Sequence, residues 1–126
     1  VNRLRFVGWC GAEEVSRHLA TARVLVVPSW TETFGLTALE GMLHGAPVVA
    51  SRCPALAELI DHGRTGLLAP VGDQAALDEC VERLLGDEVL ATTLGRAGAS
   101  EVRKRHQWEQ IVGQTVEAYR AALSEP

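Results

Sequence analysis

Residues 24–42 read VLVVPSWTETFGLTALEGM and contain three successive patterns. The first four residues are all apolar, which is typical of a strand that helices cover on both faces of a parallel sheet. A loop follows, and helical periodicity begins near Gly35 or Leu36. The predicted buried stripe of that helix consists of Leu36, Leu39, Met42 and Leu43. We therefore predict a central strand, a loop at its carboxyl end and a helix.

Other short apolar runs lie on both sides of this stretch, at residues 4–7, 47–50 and 67–68. Helical patterns separate most of the runs, and this alternation indicates parallel β/α units. The length of 126 residues fits one domain. The sequence thus predicts a single α/β domain over residues 1–126, with a parallel sheet of about four strands.

Three further helices are predicted in the second half of the chain. Asp73 is expected to cap the first of them by accepting backbone N–H bonds. Residues 88–104 form the second, and we expect Gly95 and Gly98 to interrupt it. Residues 107–123 form the last, which carries a continuous apolar stripe. That stripe needs a partner to cover it.

Charge and hydropathy exclude several classes of partner. The formal net charge of −4 gives no general attraction to nucleic acid or to anionic lipid. No apolar run approaches the roughly 20 residues that cross a bilayer. Cys10, Cys53 and Cys80 are too few and too far apart for a disulfide framework or a zinc motif. A reducing cytoplasmic location is the simplest expectation.

His18 lies on the apolar stripe of a helix predicted at residues 13–22. Histidine at such a position is typically a core or boundary residue. We expect no ligand-type residue one turn away at a metal-binding spacing. The sequence therefore predicts no metal site.

The loop and helix start at residues 28–42 carry the chemistry. In open parallel α/β sheets, ligands bind at the carboxyl edge of the strands, where this loop begins. Glu32 precedes the helix and Glu40 stands about one turn inside it, at the border of the apolar stripe. Carboxylates suit the vicinal hydroxyls of a sugar, and free N–H groups at a helix start suit a diphosphate. Gly35 lets a ligand approach the backbone. Together these features predict a binding site for a nucleotide sugar.

Simpler interpretations remain open for these glutamates. Thr37 and Glu40 match a capping box, in which Glu40 would satisfy a backbone donor. Two glutamates eight residues apart also occur by chance on solvated surfaces. A hydrolase would use the pair as acid and nucleophile, with carboxyl groups roughly 5 to 9 Å apart.

The wider sequence resembles family 4 of the retaining glycosyltransferases. The donor-binding half of that family carries P-S-x-x-E-x-F-G-L-x-x-L-E-x-M-x-x-G-x-P-V-V-A-S, and residues 28–51 meet every fixed position. The similarity continues upstream through residues 6–8 and downstream through residues 58–60 and 63–68. It covers nearly the whole chain.

The resemblance implies a role for each motif residue. Glu32 would be the catalytic residue beside the transferred sugar, and Phe34 and Gly35 would shape the loop under it. Glu40 would bind the ribose hydroxyls. The backbone amides of Leu36 and Thr37 would face phosphate. The donor would be a nucleoside diphosphate sugar carrying a hexose-type sugar, handled without cofactor or metal and transferred with retention of configuration.

The resemblance also implies a larger enzyme of GT-B architecture, in which two Rossmann-like three-layer domains face each other. This chain would be most of the C-terminal, donor-binding domain. The first strands of that domain, the Arg and Lys that neutralise the diphosphate and the N-terminal acceptor domain would lie outside it. Any peripheral membrane contact would come through that missing half. A non-catalytic sugar-nucleotide-binding or interaction module is the alternative.

Some positions depart from the family pattern or carry smaller signals. Residues 52–57, RCPALA, replace the usual Gly-Gly turn, and proline there removes a backbone donor. Glu58 stays a candidate donor contact. Trp9 follows the first predicted strand, where such a fold could receive the base of the donor, but packing is the simpler interpretation. His44 and His62 each precede a glycine and are interpreted as polar residues at turns. The Arg64 side chain is interpreted as solvated.

Overall fold

The computed structural model describes residues 3–124. Its helices are α1 (Ala12–Thr21), α2 (Leu36–Leu43), α3 (Pro54–Leu59), α4 (Gln74–Gly86), α5 (Glu88–Arg105) and α6 (Trp108–Ser124). Its strands are β1 (Leu25–Val27), β2 (Val48–Ser51) and β3 (Leu67–Ala69). The strands form a parallel sheet in the order β1-β2-β3, with Val26 opposite Val49 and Ala50 opposite Leu68. The predicted α/β class is confirmed.

The sheet separates two apolar clusters, as alternation along its strands requires. Val48 and Ala50 face a cluster formed with α2, α3 and the end of α5. Val49 faces the opposite cluster, formed with α4 and the beginning of α5. The two clusters make the three layers of an α/β sandwich, because helices cover both faces of β2.

The central position in the sheet belongs to β2, and the prediction of a central strand at residues 24–27 is wrong. All four residues of β2 are buried, whereas Val26 of β1 keeps 38% of its surface exposed. Among the described residues β1 pairs with β2 alone. The all-apolar run predicted burial on both faces, yet only Val27 of the three β1 residues is buried, because apolar composition carries no information about strand order.

The strand predicted at residues 4–7 is absent from the described part of the chain. Leu4 and Phe6 are 85% and 94% exposed, and no strand pairs with them. The structure therefore has three strands where about four were expected. An apolar run becomes a strand only where a neighbouring strand completes its hydrogen bonds, and residues 3–124 offer none to this run.

The three helices predicted in the second half of the chain are all present, and one prediction about them is wrong. Asp73 caps α4 as predicted, because its side chain accepts a bond from Ala76 N at 3.0 Å. The expected interruption of α5 is wrong, since the helix runs continuously through Gly95 and Gly98. A Cβ at Gly95 would collide with the carbonyl oxygen of Gly45, and one at Gly98 would lie 2.9 Å from that of Thr65. These glycines serve close packing.

The last helix, α6, has no buried residue. Trp108 and Tyr119 on its apolar stripe are 73% and 69% exposed. The stripe predicted from the sequence is therefore present, and nothing among residues 3–124 covers it.

Candidate functional site

The loop between β1 and α2 leaves the carboxyl end of β1, as predicted, and ends at Gly35. Gly35 is the N-cap of α2 and has φ +85°, in the left-handed region that favours glycine. A Cβ there would lie 2.7 Å from Leu56 Cδ2 of α3. Backbone conformation and packing therefore both require glycine, and together they fix where α2 begins.

No side chain among the described residues caps the start of α2. The first intrahelical bond runs from Leu39 N to Gly35 O at 3.0 Å. The amides of Leu36 and Thr37 have no partner within residues 3–124. The capping-box interpretation is wrong, because Thr37 lies inside the helix. A set of free N–H donors thus faces outward at the positive end of the helix dipole.

Glu32 lies three residues before the start of α2, and its carboxylate is held in place. Ser29 Oγ donates a hydrogen bond to Glu32 Oε1 at 2.9 Å. The side chain is half-buried. One carboxylate oxygen is thereby anchored, and Oε2 makes no hydrogen bond within the described chain.

Glu40, the fifth residue of α2, is exposed rather than partly covered. Its backbone oxygen accepts from His44 N at 3.2 Å and lies 2.8 Å from His44 Nδ1. Its carboxylate forms no hydrogen bond or ion pair with another described residue. The stripe was also misassigned at Leu36 and Leu43, which are 62% and 37% exposed, because Ala38, Gly41 and Met42 form the buried face. The Glu40 carboxylate is available to a ligand.

Phe34 forms one wall of a cavity of about 170 Å³ beside the start of α2. Its ring meets the His106 ring edge to face, with centroids 5.9 Å apart. The other lining residues are Thr33, Ala55, Glu58, Leu59 and Arg105. The fold therefore brings Glu58 near the motif loop. Sequence reasoning missed Arg105 and His106, because nothing in the sequence links the end of α5 to residue 34.

The family model described as "Glycosyl transferases group 1" matches residues 1–87. That match covers more than half of the chain. The chain belongs to this family.

Individual relatives and solved structures agree with this assignment. The chain is 35% identical over 122 residues to the D-inositol 3-phosphate glycosyltransferase of Nocardioides sp. strain JS614, covering 97% of the chain and 26% of that protein. It superposes on sucrose-phosphate synthase from Thermosynechococcus elongatus with a TM-score of 0.88, 38% identity and coverage of 97% and 31%. It superposes on Anabaena HepE in complex with UDP and glucose with a TM-score of 0.87 and 26% identity, and the match covers 95% of the chain and 32% of HepE. The chain spans about a quarter to a third of these proteins.

Membership in a family of transferases removes the basis for the hydrolase interpretation. It also confirms the resemblance seen in the motif at residues 28–51, at the level of the group 1 family. None of the helices within residues 3–124 is long and apolar enough to cross a membrane.

The departure from the family pattern at residues 52–57 has a structural outcome. Pro54 occupies the first turn of α3, where its missing N–H is not needed. Cys53, the N-cap, is buried and provides no side-chain cap. A short helix therefore begins where the resemblance predicts a Gly-Gly turn.

The structure shows the surroundings of Trp9, Arg64 and His62, which carried smaller signals in the sequence. Trp9 is 93% exposed, so the packing interpretation is wrong. The guanidinium of Arg64 lies 2.6 Å from Asp61 and 3.6 Å from Glu101, and the hydrogen bond to Asp61 raises the pKa of Arg64. His62 Nδ1 accepts a hydrogen bond from Leu68 N at 2.9 Å, which is a structural contact. None of these three residues contacts the motif loop through a hydrogen bond in the described chain.

His18 lies in a different environment from the one predicted. The side chain is 50% exposed, so it is not a core residue. Glu14 lies one helical turn before it, at the metal-binding spacing that was not expected. Cys10 completes a cluster with these two side chains. The i, i+4 spacing of Glu14 and His18 was the signal that could have found it.

Proposed function

We propose that this chain is the donor-binding part of a retaining, family 4 glycosyltransferase of GT-B architecture. The complete protein transfers a hexose-type sugar from a nucleoside diphosphate sugar to an acceptor. Family membership supports glycosyl transfer, and the similarity to HepE, whose complexes contain UDP and glucose or UDP-glucose, supports the donor class.

The uncapped start of α2 is the observation that carries the proposal. Gly35 ends the loop in the left-handed conformation and leaves the amides of Leu36 and Thr37 without partners among residues 3–124. Such a helix start binds anions through its N–H groups and its dipole. A diphosphate bound there would lie at the carboxyl edge of the sheet, flanked in sequence by Glu32 and Glu40.

Glu32 is assigned to the transferred sugar. The bond from Ser29 fixes one oxygen of its carboxylate and leaves the other free to accept from a sugar hydroxyl. This arrangement orients the donor, and positioning of the reacting groups is a large part of the rate enhancement. Glu32 is not assigned as a covalent nucleophile.

Glu40 is assigned to the ribose. Its exposed carboxylate has no partner in the described chain and can accept two hydrogen bonds from adjacent hydroxyls. Phe34 and Gly35 are assigned to the shape of the loop: the Phe34 ring packs against that of His106, and Gly35 leaves no room for a Cβ beside Leu56. Glu58 remains a further candidate contact, because it lines the cavity beside Phe34.

The rest of the protein is assigned the remaining functions. Because the chain spans a quarter to a third of its relatives, we assign the acceptor surface and the cations that neutralise the diphosphate to the part outside it. Without those groups the chain alone should be nearly inactive, since positioning and charge stabilisation are both lost. We place the protein in the cytoplasm, where its three free cysteines stay reduced.

The assignment of Glu40 is tested by titrating the full-length protein with several nucleoside diphosphate sugars in a calorimeter. Glu40→Gln keeps the shape of the side chain and removes its charge. A hydrogen bond to a charged group contributes roughly 1.5–3 kcal/mol, so we expect donor affinity to fall by about tenfold or more. Glu79→Gln, which makes the same change at an exposed site on α4, is the matched control. Unchanged affinity in Glu40→Gln would refute the ribose role.

A non-catalytic sugar-nucleotide-binding or interaction module is the second candidate. The exposed apolar stripe of α6 favours it, because such a surface suits contact with another protein. Donor binding by the full-length protein without transfer to any acceptor would support this alternative. Transfer of the sugar would reject it.

A further inference from the structure

Cys10, Glu14 and His18 form a cluster of potential metal ligands at the start of α1. One ligand atom from each side chain lies within 4.8 Å of the other two. The Glu14 Oε1 and His18 Nε2 atoms are 3.8 Å apart. None of the three residues belongs to the motif loop or to α2.

Local helix geometry explains why the three side chains meet. Glu14 and His18 are four residues apart on α1, so they lie one above the other on a single face. Gly11 is the N-cap of the helix, and Cys10 immediately precedes it. The thiol of Cys10 therefore lies at the open end of the face that carries Glu14 and His18.

We propose that Cys10, Glu14 and His18 bind a divalent transition-metal cation, with Zn²⁺ the ion that best fits the set. Thiolate, imidazole and carboxylate are the three ligand types that zinc prefers. Zinc–ligand bonds of roughly 2.0–2.3 Å place neighbouring ligands of a tetrahedron about 3.3–3.8 Å apart. The distances between the ligand atoms therefore need to shorten by at most about 1.5 Å for the three side chains to coordinate one ion.

The side chains are free to make that adjustment. The Glu14 and His18 side chains are 42% and 50% exposed, and Cys10 is half-buried. Glu14 Oε1 also lies 3.9 Å from Arg17 Nη2. An exposed ion pair at that distance contributes little, so its loss does not prevent binding.

The proposed ion has a structural role. Three protein ligands leave one position for water, and the bond to Cys10 would tie the segment before α1 to the second turn of that helix. The Cys10 Sγ atom already lies 3.7 Å from the carbonyl oxygen of Gly8. Metal binding would therefore hold residues 8–11 against α1. This role is independent of the donor site.

The test is a titration of the full chain, with any purification tag removed, using Zn²⁺ and then Co²⁺. We expect one equivalent of Zn²⁺ to bind, and we expect the Co²⁺ complex to show the near-ultraviolet charge-transfer band of a thiolate ligand. Cys10→Ser and His18→Gln should each weaken Zn²⁺ binding at least about tenfold, the lower bound known for losing even a supporting contact to a ligand.

Two control variants remove the same residue types elsewhere. They are Cys80→Ser, at a position on α4, and His44→Gln, at the end of α2. Both should bind one equivalent of Zn²⁺ with wild-type affinity. Failure of the wild-type chain to bind Zn²⁺ would overturn the proposal. Equal Zn²⁺ affinity in Cys10→Ser and wild type would also overturn it. A Co²⁺ spectrum of the wild-type chain without the thiolate band would do the same, and this measurement does not depend on the folding of any variant.

Discussion

Ser29 donates a hydrogen bond from its hydroxyl to Oε1 of Glu32 at 2.9 Å, within the loop that joins β1 to α2. The bond spans three residues and is partly buried. It holds a carboxylate that would otherwise rotate freely at the proposed donor site. The orientation of Glu32 is therefore a property of the loop before any ligand binds.

Ser29→Ala should lower kcat of the full-length protein by about 3- to 10-fold, because one hydrogen bond contributes roughly 0.5–1.5 kcal/mol. The free energy of unfolding should fall by no more than about 1.5 kcal/mol, because the freed carboxylate oxygen can reach solvent. Steady-state kinetics measure the first effect and urea denaturation the second. Ser100→Ala, at an exposed position on α5, should leave kcat unchanged. An equal kcat in Ser29→Ala and wild type would show that this bond does not position Glu32.

Gly35→Ala should destabilise the chain by about 2 kcal/mol or more. A left-handed backbone costs a residue with a Cβ roughly 1–2 kcal/mol, and the new methyl group would lie 2.7 Å from Leu56 Cδ2. Denaturant unfolding monitored by circular dichroism measures the loss.

Gly113→Ala is the matched control for that substitution. Gly113 lies within α6, and a Cβ there would meet nothing within 4 Å. Alanine should stabilise α6 by up to about 1 kcal/mol. Equal effects of the two substitutions would contradict the role given to Gly35.

The apolar stripe of α6 should make the isolated chain self-associate or leave α6 partly unfolded. Ile111→Glu places a charge on the stripe and should reduce association, whereas Gln110→Glu adds the same charge on the opposite side of the helix and should not. Light scattering measures the association. A monodisperse wild-type monomer with a fully helical α6 would contradict this prediction.

The three cysteines should react with iodoacetamide at different rates. Cys53 is 2% exposed and should react only after unfolding. Partial burial raises the pKa of the Cys80 thiol, and the negative charge of Glu79 makes a smaller contribution in the same direction. Partial burial also raises the pKa of the Cys10 thiol, with a smaller contribution from Glu14. Both half-buried thiols should therefore react slowly at neutral pH and faster as pH rises past the ordinary thiol pKa, because the thiolate is the reactive form. Mass spectrometry of the digested chain measures each rate, and fast labelling of folded Cys53 would contradict its burial.

The strands and helices around the motif could be predicted because their local patterns are strong. The Val24 to Val27 run, the turn at Gly35 and the cap at Asp73 each act through neighbouring residues, and the structure places all three close to where the sequence put them. The donor-site residues followed from the same local stretch together with its family resemblance. Their roles stay predictions.

The errors arose where distant contacts decide the outcome. Leu36 lies on an apolar stripe by periodicity, yet it is exposed because the buried face of α2 turns toward Ala38 and Met42. The low helix propensity of Gly95 predicts a break in α5, yet the helix continues because glycine allows close packing against the backbone of Gly45. The cavity that joins Phe34 to His106 and the cluster around Cys10 depend likewise on tertiary placement or on an overlooked spacing.

Glu32 and Glu40 are assigned to different parts of one ligand, and this assignment can be tested by a crossed titration. The full-length protein would be titrated with its best nucleoside diphosphate sugar and with the matching nucleoside diphosphate. Glu40→Gln should weaken both ligands by about tenfold or more, because both contain the ribose. Glu32→Gln should weaken the sugar nucleotide and leave the nucleoside diphosphate unchanged. Wild-type affinity of both variants for both ligands would contradict the proposed donor site.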